Sequence, residues 1–354
     1  MSGSPDPRFL RGKRVLVTGH TGFKGAWLAE WLVQLGAEVT GLALPPEADA
    51  PLFDALDLGA RLAHFAGDIR DLPTVTSVMQ ASRPDVVFHL AAQPLVRRSY
   101  REPLLTWETN VQGTLNVLEA ARALGQRMTV VAVTTDKVYR NREWSYAYRE
   151  VDELGGHDPY SASKAACEIA VASWRASFGS PDGVRVATAR AGNVVGGGDM
   201  AEDRIVPDCY RAWTAGAPVR IRNAASTRPW QHVLEPLSGY LALAAHVDAA
   251  GADALDTCNF GPGPGGDRSV GDLVTQLAAL GPRRALLHDA PAGAPHEARA
   301  LSLSIERARH ALGWRPLLSF AETLAWVDQG YTAPQGLAPT VREQIALYSG
   351  RLTA

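Results

Sequence analysis

The chain has 354 residues, 46% of them hydrophobic and 20% charged, with a formal net charge of −2 at pH 7. That is enough chain for one large α/β unit or two lobes, and the near-neutral balance without blocks of like charge argues against an extended nucleic-acid surface. The opening stretch lacks an apolar signal core and no later run approaches the ~18 apolar residues of a membrane span, so a cytoplasmic chain with small-molecule partners is expected.

The first apolar run, Arg14 to Thr18, reads as a buried strand, and the turn after it, "GHTGFKG", places Gly19, Gly22 and Gly25 ahead of a helix striped by Phe23, Trp27, Trp31 and Leu35. Glycines at such a turn let backbone approach a pyrophosphate and expose helix N–H groups to its charge. The second strand, Glu38 to Leu44, ends "GLALPP", with no acid to hold a ribose 2′-hydroxyl. Lys24 suits a 2′-phosphate, or is a solvated lysine at a helix start. The third strand, Leu62 to Gly67, runs into "GDIRD", where Asp68 reads equally as a helix N-cap.

Strands at Asp85 to Ala91, Thr129 to Thr134 and Val184 to Ala189 follow, and Val111, Leu115, Leu118 and Ala121 mark a helix stripe between the first two. Alternation of this kind predicts a Rossmann-type, doubly wound parallel α/β sheet. Beyond about residue 192, Gly, Pro and Arg interrupt shorter elements. The expected division is 1–191 for nucleotide binding and 192–354 mainly for a smaller α/β substrate lobe, with room for later elements to return to the first sheet. Gly281 to Ala294 reads as a loop. Cys167, Cys209 and Cys258 lie far apart without ligand spacing, so neither a disulfide framework nor a metal site is expected.

Tyr160 and Lys164 stand four residues apart in "DPYSASKAACE", on one helix face. A phenol with a reference pKa of about 10 needs a cation nearby to serve as a base near neutrality, and Lys164 supplies one. Thr135 ends the fifth strand and is followed by Asp136 and Lys137. An acid and an amine beside a strand-end hydroxyl exceed what hydroxyl oxidation alone requires.

The glycine turn, the strand-end threonine and the Tyr/Lys pair together resemble the extended short-chain dehydrogenase/reductase family. The stretches "VTGHTGFKGAWL", "HLAAQPLVRRSY", "TTDKVY", "YSASK", "RAGNVVGGGDMAEDRIVPD", "RPWQHVLEPLSGYL" and "PHEA" closely resemble its CDP-glucose 4,6-dehydratases. That resemblance implies NAD as cofactor, with Gly19, Gly22, Phe23, Lys24 and Gly25 near the pyrophosphate and Asp68 and Ile69 near the adenine. It places Ala91, Ala92, Gln93 and Thr109, with Tyr160 and Lys164, at the nicotinamide half. It implies oxidation of CDP-glucose at C4 through Thr135, Tyr160 and Lys164, then loss of water across C5 and C6 with Asp136 as acid and Lys137 as candidate base. A lysine base faces the difficulty of a reference pKa of about 10.4, so Lys137 stabilising an enolate is the alternative. Asn193, Arg204, Arg228 and His296 are the implied substrate contacts, while His232 reads at least as well as a core histidine. A homodimer is implied through the helices around Val111 to Ala123 and Ala165 to Phe178. Rival expectations are a UDP- or dTDP-glucose dehydratase, a 4-epimerase, or a catalytically silent nucleotide-binding regulator.

Overall fold

Seven parallel strands form the central sheet of the computed structural model, which describes residues 7–47, 50–180, 183–221, 223–250, 254–281, 286–288 and 299–353. The strands are β1 (Arg14–Thr18), β2 (Glu38–Ala43), β3 (Ala63–Ala66), β4 (Val86–His89), β5 (Met128–Val133), β6 (Val184–Ala191) and β7 (Thr257–Phe260). Their order is β7-β6-β5-β4-β1-β2-β3. The chain direction of strand addition reverses between β1 and β4, which opens a crevice at their carboxyl ends.

The sequence explains the layers. Continuous β-branched runs make β4 and β5 buried along their whole length, as parallel strands covered on both faces must be. Helix α1 (Phe23–Gln34) buries Trp27, Leu28, Trp31 and Leu32 completely against one face. The leucines alone contribute about 1.5–3 kcal/mol each. The other face is covered by α2 (Leu72–Ser82) and α3 (Gly113–Ala123), which bury Val75, Met79, Val117 and Leu118. The catalytic-helix candidate α4 (Pro159–Phe178) joins that layer through Cys167, Val171 and Trp174.

Residues after 192 supply α5 (Ile205–Thr214), α6 (Leu234–Ala250), α7 (Phe320–Thr332) and α8 (Leu337–Leu352). Helix α6 packs its apolar length against β5 and β6, and β7 extends the main sheet beside β6. Arg342 of α8 and Arg61 both reach the buried Glu30 carboxylate on α1, tying the chain's end to its start. No helix among the described residues is long and apolar enough to cross a membrane.

Three expectations need correction. β3 is not a buried strand: it is the sheet edge, and Ala63, Phe65 and Ala66 are exposed. Asp68 does not cap α2, because Asp71 occupies the N-cap position. The stretch read as a loop from Gly281 contains a strand, Leu286–His288, paired in parallel with Val219–Ile221. Pattern reading missed it because three residues carry no usable periodicity. The Val111 stripe belongs to a longer helical run, Pro103–Trp107 and a π turn at Glu108–Gln112 leading into α3.

Candidate active site

The turn between β1 and α1 is built for close approach. Gly19 has φ +77°, and a Cβ there would lie 2.7 Å from the Ala91 backbone nitrogen. A Cβ on Gly25 would lie 2.0 Å from the Gly19 carbonyl oxygen. Gly22, at the N-cap, is exposed and meets no such obstacle. Gly25→Ala is therefore expected to force the turn open, costing about 1–3 kcal/mol as an overpacked site does. Thermal melting and a dinucleotide titration on the same variant check both consequences.

The wall opposite the turn is fixed by a buried polar chain. Thr18 Oγ1 hydrogen-bonds His89 Nδ1 at 2.7 Å and accepts from the Ala91 amide at 3.2 Å. His89 Nε2 meets Thr114 Oγ1 at 2.9 Å. Burial pushes the His89 imidazole down to about 3, so it remains a neutral structural link. Asn110, in the π turn beside Thr109, accepts from the Gln93 amide at 2.9 Å and donates to Ser163 on α4 at 2.9 Å. Ala92 and Gln93 are thus held at the mouth of the crevice by a residue that sequence reading passed over. At the far end, Asp68 is engaged by Arg70 at 2.6 Å, which holds its carboxyl below the usual range against the opposing effect of burial. The Ile69 carbonyl is fixed by Asn116 at 2.9 Å.

Helix α4 begins where "DPY" dictates. Asp158 accepts from the Ser161 amide at 2.9 Å, and Pro159 occupies the first turn. Tyr160 and Lys164 then fall on one buried face. Lys164 Nζ donates to the Val133 carbonyl at 3.1 Å. One turn later Glu168, paired with Arg190 at 2.9 Å, also accepts from Thr134 at 2.5 Å and Thr188 at 2.7 Å. This buried network clamps α4 to the ends of β5 and β6, so it sets the position of Tyr160 relative to Thr135.

Thr135 is the N-cap of a short 3-10 turn, Asp136–Val138. Its hydroxyl donates to Asp136 Oδ1 at 2.9 Å. Lys137 Nζ donates to the same Asp136 Oδ1 at 3.2 Å. The other carboxylate oxygen, Oδ2, is buried and has no partner among the described residues. A buried polar atom without a partner costs about 1–3 kcal/mol, and such atoms mark places where a ligand group completes the bonding. Burial raises the Tyr160 phenol to about 12, opposed by the Thr135 hydrogen bond and the Arg204 charge. Burial lowers the Lys164 amine.

Thr135, Lys137 and Tyr160 line a cleft of about 1470 Å³ together with Phe23, Lys24, Asn193, Arg204 and Arg228, while Asp136 and Lys164 are buried. Arg204 precedes α5 and is held by the buried Asp199 at 2.7 Å; that pairing keeps its guanidinium charged despite strong desolvation. Asn193 Oδ1, like Asp136 Oδ2, is buried without a partner among the described residues. Arg228 lies half-buried, its Nη1 donating to the Thr227 carbonyl at 2.8 Å. His232 is wholly buried, edge-on to Trp27 and Trp326 at ring separations of 5.6 and 5.5 Å, a core histidine rather than a cleft group. His296 and Glu297 lie outside the described residues. Asp199 and Asn110 carried no sequence signal, since each acts only by holding another residue.

The crevice at the strand-order reversal, the glycine turn and Lys164 fit a dinucleotide. No group of His, Cys, Asp or Glu among the described residues could hold a metal ion.

Comparison with known proteins agrees with this geometry. Residues 15–256 match the model of the NAD dependent epimerase/dehydratase family. The chain is 44% identical over 334 residues to a CDP-glucose 4,6-dehydratase of Salmonella typhimurium, covering 93% of each protein. It is 30% identical to a UDP-glucose 4-epimerase of Mycolicibacterium smegmatis, covering 88% of this chain and 96% of that one. Among solved structures, the dTDP-glucose 4,6-dehydratase DesIV of Streptomyces venezuelae, with NAD bound, aligns with a TM-score of 0.76 at 26% identity, over 91% of this chain and 99% of that one. The chain belongs to the NAD dependent epimerase/dehydratase family.

Proposed function

We propose that this chain is an NAD-dependent sugar-nucleotide 4,6-dehydratase that converts CDP-D-glucose to CDP-4-keto-6-deoxy-D-glucose. One observation supports the dehydration: beside the Thr135, Tyr160 and Lys164 set stands Asp136, buried, with Oδ2 lacking a hydrogen-bond partner among the described residues. Epimerisation at C4 needs no such acid; removal of a C6 hydroxyl does. The choice of CDP-glucose rests on the 44% identity to the Salmonella typhimurium protein.

Bound NAD supplies the hydride acceptor at C4 and, with its nicotinamide cation, part of the field that lowers the Tyr160 phenol. Tyr160 takes the C4 hydroxyl proton. Asp136 Oδ2 then protonates the departing C6 hydroxyl. Thr135, which donates to Asp136 and acts on the Tyr160 phenol, offers a path by which the proton taken at C4 reaches Asp136 before Asp136 gives it up at C6. Arg204 and Arg228 take the sugar diphosphate, for which guanidinium donors are suited, and Asn193 Oδ1 accepts from a substrate hydroxyl. The deciding experiment incubates the protein with NAD and a panel of nucleotide glucoses. Loss of one water from CDP-glucose supports the reading, and recovery of an unchanged mass with a C4 epimer overturns it.

The same reading includes a homodimer and a cytoplasmic location. All three cysteines are buried free thiols, in keeping with a reducing compartment. The packed helices Pro103–Trp107 and α4 leave Leu104 and Ile169 exposed at 77% and 59%, with Trp107 alongside, a patch suited to a second copy. The double variant Leu104→Asp with Ile169→Asp is expected to sediment as a monomer where the parent sediments as a dimer.

A further inference from the structure

One ion pair grips both flanks of the turn that carries Asp136. Ahead of the turn, Thr134 donates to Glu168 Oε1 at 2.5 Å. Behind it, Tyr139 closes the turn as its C-cap, and the Tyr139 hydroxyl accepts from Arg190 Nη1 at 2.9 Å. Glu168 and Arg190 are themselves joined at 2.9 Å, and both are buried. Glu168 stands two turns beyond Tyr160 on α4, while Arg190 comes from β6. The residue placed at C4 and the residue placed at C6 are therefore held against the same pair of charges.

Stability alone does not account for this arrangement. Taking two charges out of water is costly, and well-packed apolar groups of similar volume are often as stable. What the ions add is direction. The planar guanidinium presents its donors at fixed angles, with Nη2 on Glu168 at 2.9 Å and Nη1 shared between Tyr139 and the Glu150 carbonyl at 3.2 Å. Burial disfavours the Arg190 cation, but Glu168 more than offsets this, and the guanidinium stays charged. Burial also pushes the Tyr139 phenol up, so it keeps the proton that it donates to Asn259 Oδ1 at 2.7 Å. Asn259, on β7, donates in turn to the Tyr148 carbonyl at 3.0 Å, and the Tyr148 ring stacks on Tyr139 at 5.1 Å. Tyr139 is thus held by its oxygen and by its ring, which fixes the end of the turn it closes.

We propose that Arg190 and Tyr139 are positioning residues for the elimination step: they hold Asp136 at the distance from Tyr160 at which water can leave C6 once C4 has been oxidised. The inference rests on the reading of the chain as a 4,6-dehydratase with Asp136 as the acid at C6. Neither residue gives or takes a proton in the reaction. Oxidation at C4 uses Tyr160 and Thr135, which Glu168 holds through α4 and Thr134, so it does not depend on the Tyr139 arm. Elimination does, because a displacement of about 1 Å in a reacting group can cost about 10²-fold.

The test uses NAD-loaded protein with CDP-glucose and compares the parent with Tyr139→Phe, Arg190→Lys and the double variant. Tyr139→Phe keeps the stacked ring and removes only the oxygen. Arg190→Lys keeps a cation for Glu168 and gives up the fork that reaches two partners. In each, stopped-flow absorbance should show reduced nicotinamide forming at a rate within about threefold of the parent and decaying about 10–10²-fold more slowly, with KM for CDP-glucose held within about threefold. The double variant should be no slower than the slower single one, since the two residues act as a unit. A role in folding alone would lower the melting temperature and leave both rates per folded protein unchanged; that outcome overturns the inference. Decay at the parent's rate in Tyr139→Phe overturns it even where Arg190→Lys does not fold. So do equal slowing of both phases, multiplied losses in the double variant, and a KM rise that accounts for the loss and makes Tyr139 a substrate contact. Water loss by the parent is read first: if CDP-glucose keeps its mass, the functional reading fails and this inference falls with it, whereas a dehydrating parent with parent-like variants sinks the inference alone.

Discussion

Asp136→Asn is expected to lower turnover by about 10²–10⁴-fold while leaving C4 oxidation intact, so that reduced nicotinamide accumulates on the protein. The substitution keeps the shape of the side chain. Its carbonyl oxygen can still accept from Thr135 and Lys137, which meet Asp136 Oδ1 at 2.9 and 3.2 Å. What is lost is a proton to give at the Oδ2 position, the buried atom without a partner among the described residues. Stopped-flow absorbance separates the two halves of the reaction: a fast rise with no decay places Asp136 at the elimination step. A fast rise followed by a decay at the parent's rate would remove Asp136 from the chemistry. The fold should hardly notice, because the lost carboxylate also relieves the cost of a buried charge.

Tyr160→Phe should act earlier and more completely. No reduced nicotinamide is expected, and turnover should drop by at least about 10²-fold, the lower end for loss of a positioned base. The contrast with Asp136→Asn is the informative part, since Tyr160 lines the cleft while Asp136 is buried and bonded to Thr135. The ligand-free chain holds the phenol high, at about 12, chiefly by burial. The basic form therefore depends on cations: Arg204, which already pulls the value down, and the charges brought together in the loaded site. For the parent, the rate of C4 oxidation should increase with pH, since the ionised phenol is the active form. Arg204→Met should move that limb to higher pH. A limb that does not move would show that Arg204 serves the diphosphate alone.

The fold was readable where one element's pattern suffices. Runs such as "VVFH" and "MTVVAV" are buried on both faces and admit few alternatives to a central parallel strand. Reading failed at β3, whose apolar letters suggested burial although the strand lies at the sheet's edge. Edge or centre is a property of strand order, and no single strand carries it. The short strand at Leu286–His288 escaped for a related reason: its partner, Val219–Ile221, is remote in sequence.

By itself, the sequence determined the chemistry-bearing letters and their local setting: glycines at a strand-to-helix turn, Tyr160 one helical turn from Lys164, and an acid and amine after Thr135. Spacing of that kind is fixed by backbone periodicity, so it survives without knowledge of the fold. Only the tertiary structure decided which oxygen of Asp136 is free, that Asp199 holds Arg204, and that Lys24 faces the substrate cleft beside three other cations. Those facts arise from desolvation and charge between residues far apart in the chain, and such interactions exist only after packing has excluded water and brought the groups together.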